Sequence, residues 1–194
     1  MTSRPRGAHL LDAVLEIVAE KGFHAVSMRT VAARANVSVA QVQYYYRTKA
    51  DLVAAAFERA TAEFVTTVRS LLDEPASLER LRDVVWQWLP LDPERESRAR
   101  VWLAYTATAV TEASLTQTAA QLDAELREWF TSELTTLQAA GEINSELDPA
   151  QLAGQLLALI DGATMHCLVL ATEERAQHAE HTVGAWLEGL RPRD

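Results

Sequence analysis

Residues 27–52, SMRTVAARANVSVAQVQYYYRTKADL, contain the local signals that decide how this chain folds. Ser27 is a good N-cap for a short helix, because its hydroxyl can accept a hydrogen bond from a free backbone N–H. Asn36 then supplies a turn. Ser38 caps a second short helix, and Gln41 three residues later completes a capping box. The stretch therefore predicts two short helices joined by a tight turn, a helix-turn-helix.

The second short helix has two faces of different chemistry when its residues are placed at intervals of about 100°. The face predicted to pack inward consists of Ser38, Val42 and Tyr45, and the face predicted to point outward consists of Val39, Ala40, Gln43 and Tyr44. Small outward residues allow close approach to a DNA major groove, and a side-chain amide can read adenine through N6 and N7. Gln41 has two open interpretations, a capping partner and a base contact.

Groups suited to phosphate contacts follow directly. Three of the four tyrosines stand together at 44–46, and a phenol can donate a hydrogen bond to a phosphate oxygen. Thr48 and Asp51 form another capping signature, which opens a long helix to about Leu72. Lys49 lies at the start of this helix, where free N–H groups and the positive end of the helix dipole also favour a phosphate. The segment predicts a DNA-binding head.

The composition of the chain limits the alternatives. Its 194 residues are 48% hydrophobic and 23% charged, which suits one ordinary domain or two small ones and excludes disorder as the main state. A single cysteine excludes an intrachain disulfide framework and a cysteine-based zinc finger. No apolar run reaches the roughly 18 residues of a membrane span, and the N-terminus leads into a periodic segment rather than a signal peptide. We expect a cytoplasmic protein with no membrane partner.

Charge is distributed unevenly along the chain. Residues 1–52 carry seven Lys and Arg against four acidic residues, which gives them a net charge of +3. The remaining residues have a net charge of −12, so the whole chain has a net charge of −9. Such asymmetry favours a basic head that meets a polyanion and an acidic body that does not. Arg4 and Arg6 have two open interpretations, an arm that grips DNA and a solubilising tail.

Helical periodicity continues through the rest of the chain and predicts an all-α protein of about nine helices. The expected architecture is an N-terminal three-helix bundle with the helix-turn-helix, residues 1–50, followed by a larger helical domain, residues 51–194. A predicted helix at about 148–171 is apolar on two sides. It is therefore expected to be covered twice, by its own core and by another chain.

The segment VSMRTVAARANVSVAQVQYYYRTKADL resembles the DNA-binding signature of the TetR family of transcriptional regulators, over roughly residues 8–55. Two positions depart from the usual family pattern, Gln43 in place of Tyr and Tyr46 in place of Phe. The resemblance implies that Arg29 contacts a base or phosphate and that Thr48 both caps its helix and holds a phosphate. It also implies base-edge contacts for Val39, Ala40, Gln41 and Gln43, beside the Ser38 cap, and backbone contacts for Tyr44, Tyr45 and Lys49.

The C-terminal part resembles the BetI-type branch of the same family through VWLAYTATA at 101–109 and DPAQLAGQLLALIDG at 148–162. This resemblance implies a helical domain that holds a small-molecule pocket and dimerises through its last two helices. The pocket candidates are Trp86, Trp88, Trp102, Tyr105, Trp129, Phe130, Met165 and His166, each with plain core packing as the alternative. The dimer candidates are Leu157, Ile160, Asp161, Leu168, Val183, Trp186, Leu187 and Leu190.

Four individual residues have open chemical roles. Asp161 is either a ligand-facing acid or a charge paired across the dimer, and we assign it to the dimer. Cys167 is expected to be a buried small apolar residue, with a thiol sensor as the open alternative. The pair His178 and His181 has a spacing that could hold a metal, but without a third ligand we expect surface histidines and no metal site.

The leading functional expectation is a homodimeric repressor that binds a palindromic operator and is released by a small organic effector of unknown identity, with no cofactor. A ligand-independent DNA-binding regulator is the alternative, which a filled core in the body would favour. An enzyme is disfavoured, because the sequence has no nucleophile elbow, no phosphate-binding glycine loop and no metal constellation.

Overall fold

The computed structural model describes the backbone of residues 7–192 and all of their side chains except that of Ser114. Its helices are α1 (Ala8–Lys21), α2 (Met28–Arg34), α3 (Val39–Tyr45), α4 (Lys49–Leu72), α5 (Leu78–Trp86), α6 (Pro93–Thr111), α7 (Ala113–Ala139), α8 (Pro149–Val169), α9 (Thr172–Ala179) and α10 (Ala185–Glu188). A π-helical turn, Glu180–Gly184, joins α9 to α10 without a break. Counting that run as one, residues 7–192 contain nine helices and no strand, which confirms the all-α class. The predicted arm with Arg4 and Arg6 lies outside these residues.

Side-chain caps begin six of the helices, and those at Ser27, Ser38 and Thr48 lie where the sequence predicts them. The capping residues, each of which accepts a hydrogen bond from a backbone N–H of the first turn, are Ser27, Ser38, Thr48, Ser77, Asp92 and Asp148. The first helix begins at Ala8. It ends at Lys21, and the following Gly22 has a φ of 76° and donates its N–H to the Val18 carbonyl at 2.9 Å. Glycine adopts this positive φ without a steric penalty.

Thr48→Ala is expected to lower the free energy of unfolding by about 1 kcal/mol, the usual cost of losing an N-cap. Thr48 Oγ1 accepts from the Asp51 N–H at 3.1 Å, and the Asp51 carboxylate accepts from the Thr48 N–H at 3.0 Å. Urea unfolding at fixed protein concentration measures the change. Thr66→Ala is the matched control, because Thr66 is exposed inside the same helix and bonds back to Ala62 O. There the higher helix propensity of alanine predicts an effect of the opposite sign. Equal losses in the two variants would contradict the cap assignment.

The head has its own core, in which α1 packs against α2, α3 and the start of α4. Its fully buried side chains include Leu10, Val14, Val31, Val42, Leu52 and Ala56. Val101 of α6 belongs to the same cluster and is 5% exposed. The head is therefore held against the body through α6 as well as through the continuous helix α4.

A second core lies among α5, α7, α8 and the last helical run. Phe130, Leu134 and Leu137 project from α7 and are fully buried against Leu152 and Leu156 of α8. The α8 helix is long and apolar enough to cross a membrane by length and composition alone. Its buried side chains pack in this core, and core helices pass the same test.

The residues predicted for the dimer have different surroundings within the single chain, and their role in a dimer stays a prediction. Five of them are buried in the chain's own second core, namely Leu157, Ile160, Val183, Leu187 and Leu190. Leu168 and Trp186 are half-buried. The outer face of α8 instead exposes Met165 and Val169, the second of which is 80% exposed. Helical periodicity shows that a helix has two apolar sides, but it cannot say which side meets the chain's own core.

A buried arginine ties α9 to the start of α6. Arg175 is 6% exposed, and its guanidinium donates to Glu96 Oε2 at 2.6 Å and to the Pro90 carbonyl at 3.2 Å. It also donates to the Leu170 carbonyl at 3.4 Å. These bonds from Arg175, with a second set from Arg100, hold the pKa of Glu96 below its ordinary value. A buried cation is tolerated here because Glu96 compensates its charge and two backbone carbonyls accept further bonds from its guanidinium.

Candidate DNA interface and effector cavity

A tight turn that contains one residue with a positive φ joins α2 to α3 in the helix-turn-helix. Asn36 has a φ of 54°, a conformation that asparagine tolerates better than most residues. The Val37 N–H donates to the Ala32 carbonyl at 2.9 Å and closes the turn. Val42 is fully buried beneath α3 and fixes this helix on the head core. These local bonds turn the opposite face of α3 outward.

The outward face of α3 matches the prediction closely. Ala40, Gln41 and Gln43 are exposed, Val39 is 37% exposed and Tyr44 is 83% exposed. Ser38 is also exposed, which corrects its predicted inward position, because its hydroxyl serves as the cap on Gln41 N at 3.1 Å.

Hydrogen bonding decides between the two interpretations of Gln41, and exposure decides the position of Tyr45. The return bond from the Gln41 side chain to Ser38 N, which a full capping box requires, is not formed among the described residues. The Gln41 amide is therefore free to face a base. Tyr45 is 37% exposed and meets the Tyr44 ring edge-on at 5.2 Å, so it lies at the rim rather than inside.

The N-terminus of α4 supplies the second part of the interface. The Lys49 ammonium lies 3.5 Å from the Phe23 carbonyl oxygen and 5.6 Å from the centre of the Phe23 ring. These contacts hold its charge beside the exposed first turn of α4, where Thr48 caps the helix. An oriented cation and free N–H groups at a helix start are suited to a phosphate.

The basic residues of the head separate into paired and available charges. Arg34 forms ion pairs within the head, because it donates to Glu20 at 2.5 and 2.9 Å and to Glu16 at 3.1 Å. Arg29 and Arg47 are exposed. Sequence reasoning missed Arg47, although its position between α3 and α4 and beside the tyrosine cluster could have identified it. Arg29, Arg47 and Lys49 therefore form the candidate set for phosphate contacts.

A cavity of about 100 Å³ lies among α6, α7 and α8, beside the loop that follows α5. It is lined by Trp88, Trp102, Tyr105, Thr106, Ala119, Asp123, Leu126, Leu157, Ile160 and Asp161. Among the predicted pocket residues, Trp88, Trp102 and Tyr105 line it. Leu157, Ile160 and Asp161, which were predicted for the dimer, also line it. Sequence spacing missed this grouping because the ten residues come from three helices and a loop.

Five predicted pocket residues lie elsewhere. Trp86 is half-buried under the Arg82 guanidinium, 4.6 Å from its ring centre, and Trp129 meets the buried Phe130 ring at 4.7 Å. Met165 is half-exposed on the outer face of α8. His166 is exposed there and lies 5.8 Å from the His178 ring, which also corrects its alternative as a core histidine. These five residues therefore belong to the core or the surface of the protein and do not line the cavity. The spacing of aromatic residues along a helix does not show whether their rings line a cavity or fill the core.

The acidic groups of the cavity are the carboxylates of Asp161 and Asp123. Asp161 accepts a hydrogen bond from the Trp102 indole Nε1–H at 3.1 Å. Loss of solvent around its carboxyl raises the pKa of Asp161, and the nearby Asp123 raises it further against the opposing effect of the indole bond. Asp123 is paired with Arg127 at 2.7 and 3.2 Å.

Aromatic rings connect the cavity to the DNA-facing end of α4. The Tyr105 ring contacts Phe57 of α4 at 4.5 Å between centres, and Phe57 lies 6.0 Å from Phe23. The Lys49 ammonium in turn contacts the ring and the carbonyl oxygen of Phe23. These contacts form a continuous row of packed side chains from the cavity wall to Lys49, a predicted phosphate contact.

Metal and thiol chemistry have little basis in the described residues. Within residues 7–192 no three His, Cys, Asp or Glu side chains come together as a metal site. Cys167 is fully buried, which confirms its prediction as a packed small side chain. Burial raises the pKa of its thiol, so the reactive thiolate is disfavoured.

Comparisons with known proteins agree with both parts of this arrangement. The family model for bacterial regulatory proteins of the tetR family matches residues 10–56, and that for the C-terminal part of BetI-type transcriptional repressors matches residues 75–192. The regulator BetI of Escherichia coli K12 is 28% identical over 163 residues, which cover 81% of this chain and 79% of BetI. The fatty acid metabolism regulator protein of Bacillus subtilis is 25% identical over 79% of this chain and 78% of its own length.

Solved structures share the whole fold. A transcriptional regulator from Rhodococcus sp. Rha1 has a TM-score of 0.79 at 25% identity and covers 96% of this chain and 98% of its own. A regulator from Saccharomonospora viridis, solved in complex with choline, has a TM-score of 0.82 at 21% identity over 92% of this chain and 95% of its own. Since the C-terminal match alone spans more than half of the residues, the chain belongs to the TetR family of transcriptional regulators, in its BetI-type branch.

Proposed function

We propose that this regulator is a homodimeric repressor that binds a palindromic operator and leaves it when a small organic effector enters the cavity. The single observation that carries the proposal is the shared role of α6. One side of this helix packs Val101 into the head core, and another side places Trp102 and Tyr105 on the cavity wall. A ligand that moves α6 therefore moves the support of the DNA-binding head.

Homodimerisation is supported by the limits of one head and by the outer surface of the body. A single recognition helix reads few base pairs, so affinity and specificity in this type of protein come from two half-sites related by a two-fold axis. Met165 and Val169 give the outer face of α8 apolar side chains that are 51% and 80% exposed. We place the second copy of the chain on this face. The boundary between the DNA-binding domain and the helical body is proposed near residue 50.

Effector release is supported by the cavity and by the fold comparison. The structural relative from Saccharomonospora viridis holds choline, which shows that a protein of this fold accommodates a small organic molecule. For release, the effector must bind the DNA-free conformation better than the DNA-bound one, because equal affinity shifts no equilibrium.

Selection of DNA from a random pool with the purified full chain tests the proposal. We expect a palindromic motif with its half-sites about one helical turn, roughly 34 Å, apart. Affinity for this motif should fall steeply with added salt, because phosphate contacts release counterions. Failure to enrich any sequence at low salt would overturn the repressor assignment, and a motif without two-fold symmetry would overturn the dimer.

A further inference from the structure

The outward face of α3 carries two side-chain amides and no charged group. The helix has the sequence VAQVQYY from Val39 to Tyr45, which contains no Lys, Arg, Asp or Glu. Gln41 and Gln43 are both exposed. Among residues 7–192 neither of their amide groups has a hydrogen-bond partner. Each amide therefore has donors and an acceptor available for the edge of a base.

This set of side chains limits which bases α3 can read. In the major groove guanine presents two acceptors, which Arg or Lys reads, and cytosine presents a donor, which Asp or Glu reads. Adenine presents an acceptor at N7 and a donor at N6, and a glutamine amide can bond to both at once. Arg29 and Arg47, which we assign to phosphates, lie outside α3. The chemistry of α3 itself therefore favours A·T base pairs.

The position of Gln43 on the helix makes it the better placed of the two amides. At about 100° per residue, Gln43 points between Val39 and Ala40, whereas Gln41 points to the other side of Ala40. Val39 and Ala40 are apolar groups of the kind that contacts the methyl group of thymine. Gln43 is also about 4.5 Å from Ala40 along the helix axis, close to the roughly 3.4 Å between successive base pairs. The amide and the Ala40 methyl can therefore reach neighbouring base pairs.

We propose that Gln43 reads an adenine in each half-site of the operator through bonds to its N6 and N7, while Ala40 contacts the thymine methyl of a neighbouring base pair. This inference rests on the proposed function and names the base that the outward face of α3 recognises. Gln43 is then a residue that determines sequence specificity, whereas Lys49 and the exposed arginines determine affinity for the phosphates.

Selection of DNA from one random pool with three forms of the full chain tests the proposal. They are the wild type, Gln43→Met and Gln43→Arg. Methionine keeps the approximate length and the helix propensity of glutamine but lacks both hydrogen-bonding groups, and arginine presents the donors that suit guanine. We expect an A·T pair at one symmetric position of each half-site. This position should lose its preference with Gln43→Met and change to G·C with Gln43→Arg, while the rest of the motif stays the same.

Fluorescence anisotropy with labelled operator DNA gives the size of the effect. Replacing A·T by G·C at this position of one half-site should weaken wild-type binding by at least about fivefold and leave Gln43→Met binding nearly unchanged. Gln117→Arg is the matched control, because Gln117 is exposed on α7 and the substitution adds the same positive charge to the body. We expect this variant to select the wild-type motif, which separates base reading from general attraction to phosphate.

The outcomes separate this inference from the repressor assignment. A palindromic motif that neither Gln43 variant alters would overturn the reading of adenine and leave the repressor intact. A wild-type motif with G·C at the position that responds to Gln43 would do the same. Failure of the wild type to enrich any sequence at low salt would overturn the repressor assignment, and the inference that rests on it with it. A switch from A·T to G·C with Gln43→Arg alone would support both.

Discussion

Ala40→Glu is expected to lower the affinity of the protein for its selected operator by at least about 100-fold while the fold stays intact. Ala40 is exposed in the first turn of α3, at the centre of the face that we place in the major groove. A glutamate adds bulk and a negative charge next to DNA, and like charges brought together at an interface cost several kcal/mol. The helix itself tolerates the change, because an acidic residue in a first turn interacts favourably with the helix dipole.

Fluorescence anisotropy with labelled operator DNA measures this loss, and urea unfolding checks stability. Ala62→Glu is the matched control, since it makes the same change at an exposed position of α4, roughly 20 Å along the helix from its start. We expect the control to bind nearly as the wild type does. Comparable losses in both variants would indicate general charge repulsion, and undiminished binding by Ala40→Glu would mean that α3 does not enter the groove.

Arg175→Met is expected to lower the free energy of unfolding by about 3 kcal/mol, because breaking a buried ion pair leaves its partners without compensation. The variant removes the donor to Glu96 at 2.6 Å and leaves the carbonyls of Pro90 and Leu170 with fewer partners. Glu96 keeps its bonds from Arg100, which holds the expected loss at the lower end of the range for buried pairs.

Arg191→Met makes the same substitution at the surface. Arg191 also forms two ion pairs at 2.7 Å, with Glu79 and Glu188, but its side chain is 40% exposed. Exposed pairs contribute little, so we expect a loss below about 1 kcal/mol. Denaturant unfolding of both variants at one protein concentration makes the comparison. Similar small losses would show that burial does not strengthen the Arg175 contacts.

Local sequence signals determined the head. The caps at Ser27, Ser38 and Thr48 and the turn at Asn36 depend on hydrogen bonds that span only three to five residues, so the sequence could predict them. The exposed face of α3 followed from helical geometry and the single inward Val42. Capping between residues close in the chain is little affected by the rest of the fold.

Only the tertiary structure decided what the body's side chains do. Asp161 and Trp102 are 59 positions apart, and their hydrogen bond depends on the packing of α6 against α8. The same packing places Leu157 and Ile160 on the cavity wall and Met165 on the exposed outer face of α8. Periodicity gives the angle of a residue around its own helix, whereas its neighbours depend on how the helices cross. The sequence by itself therefore determined a DNA-binding head on an all-helical body, and the packing of distant helices decided which residues line the cavity.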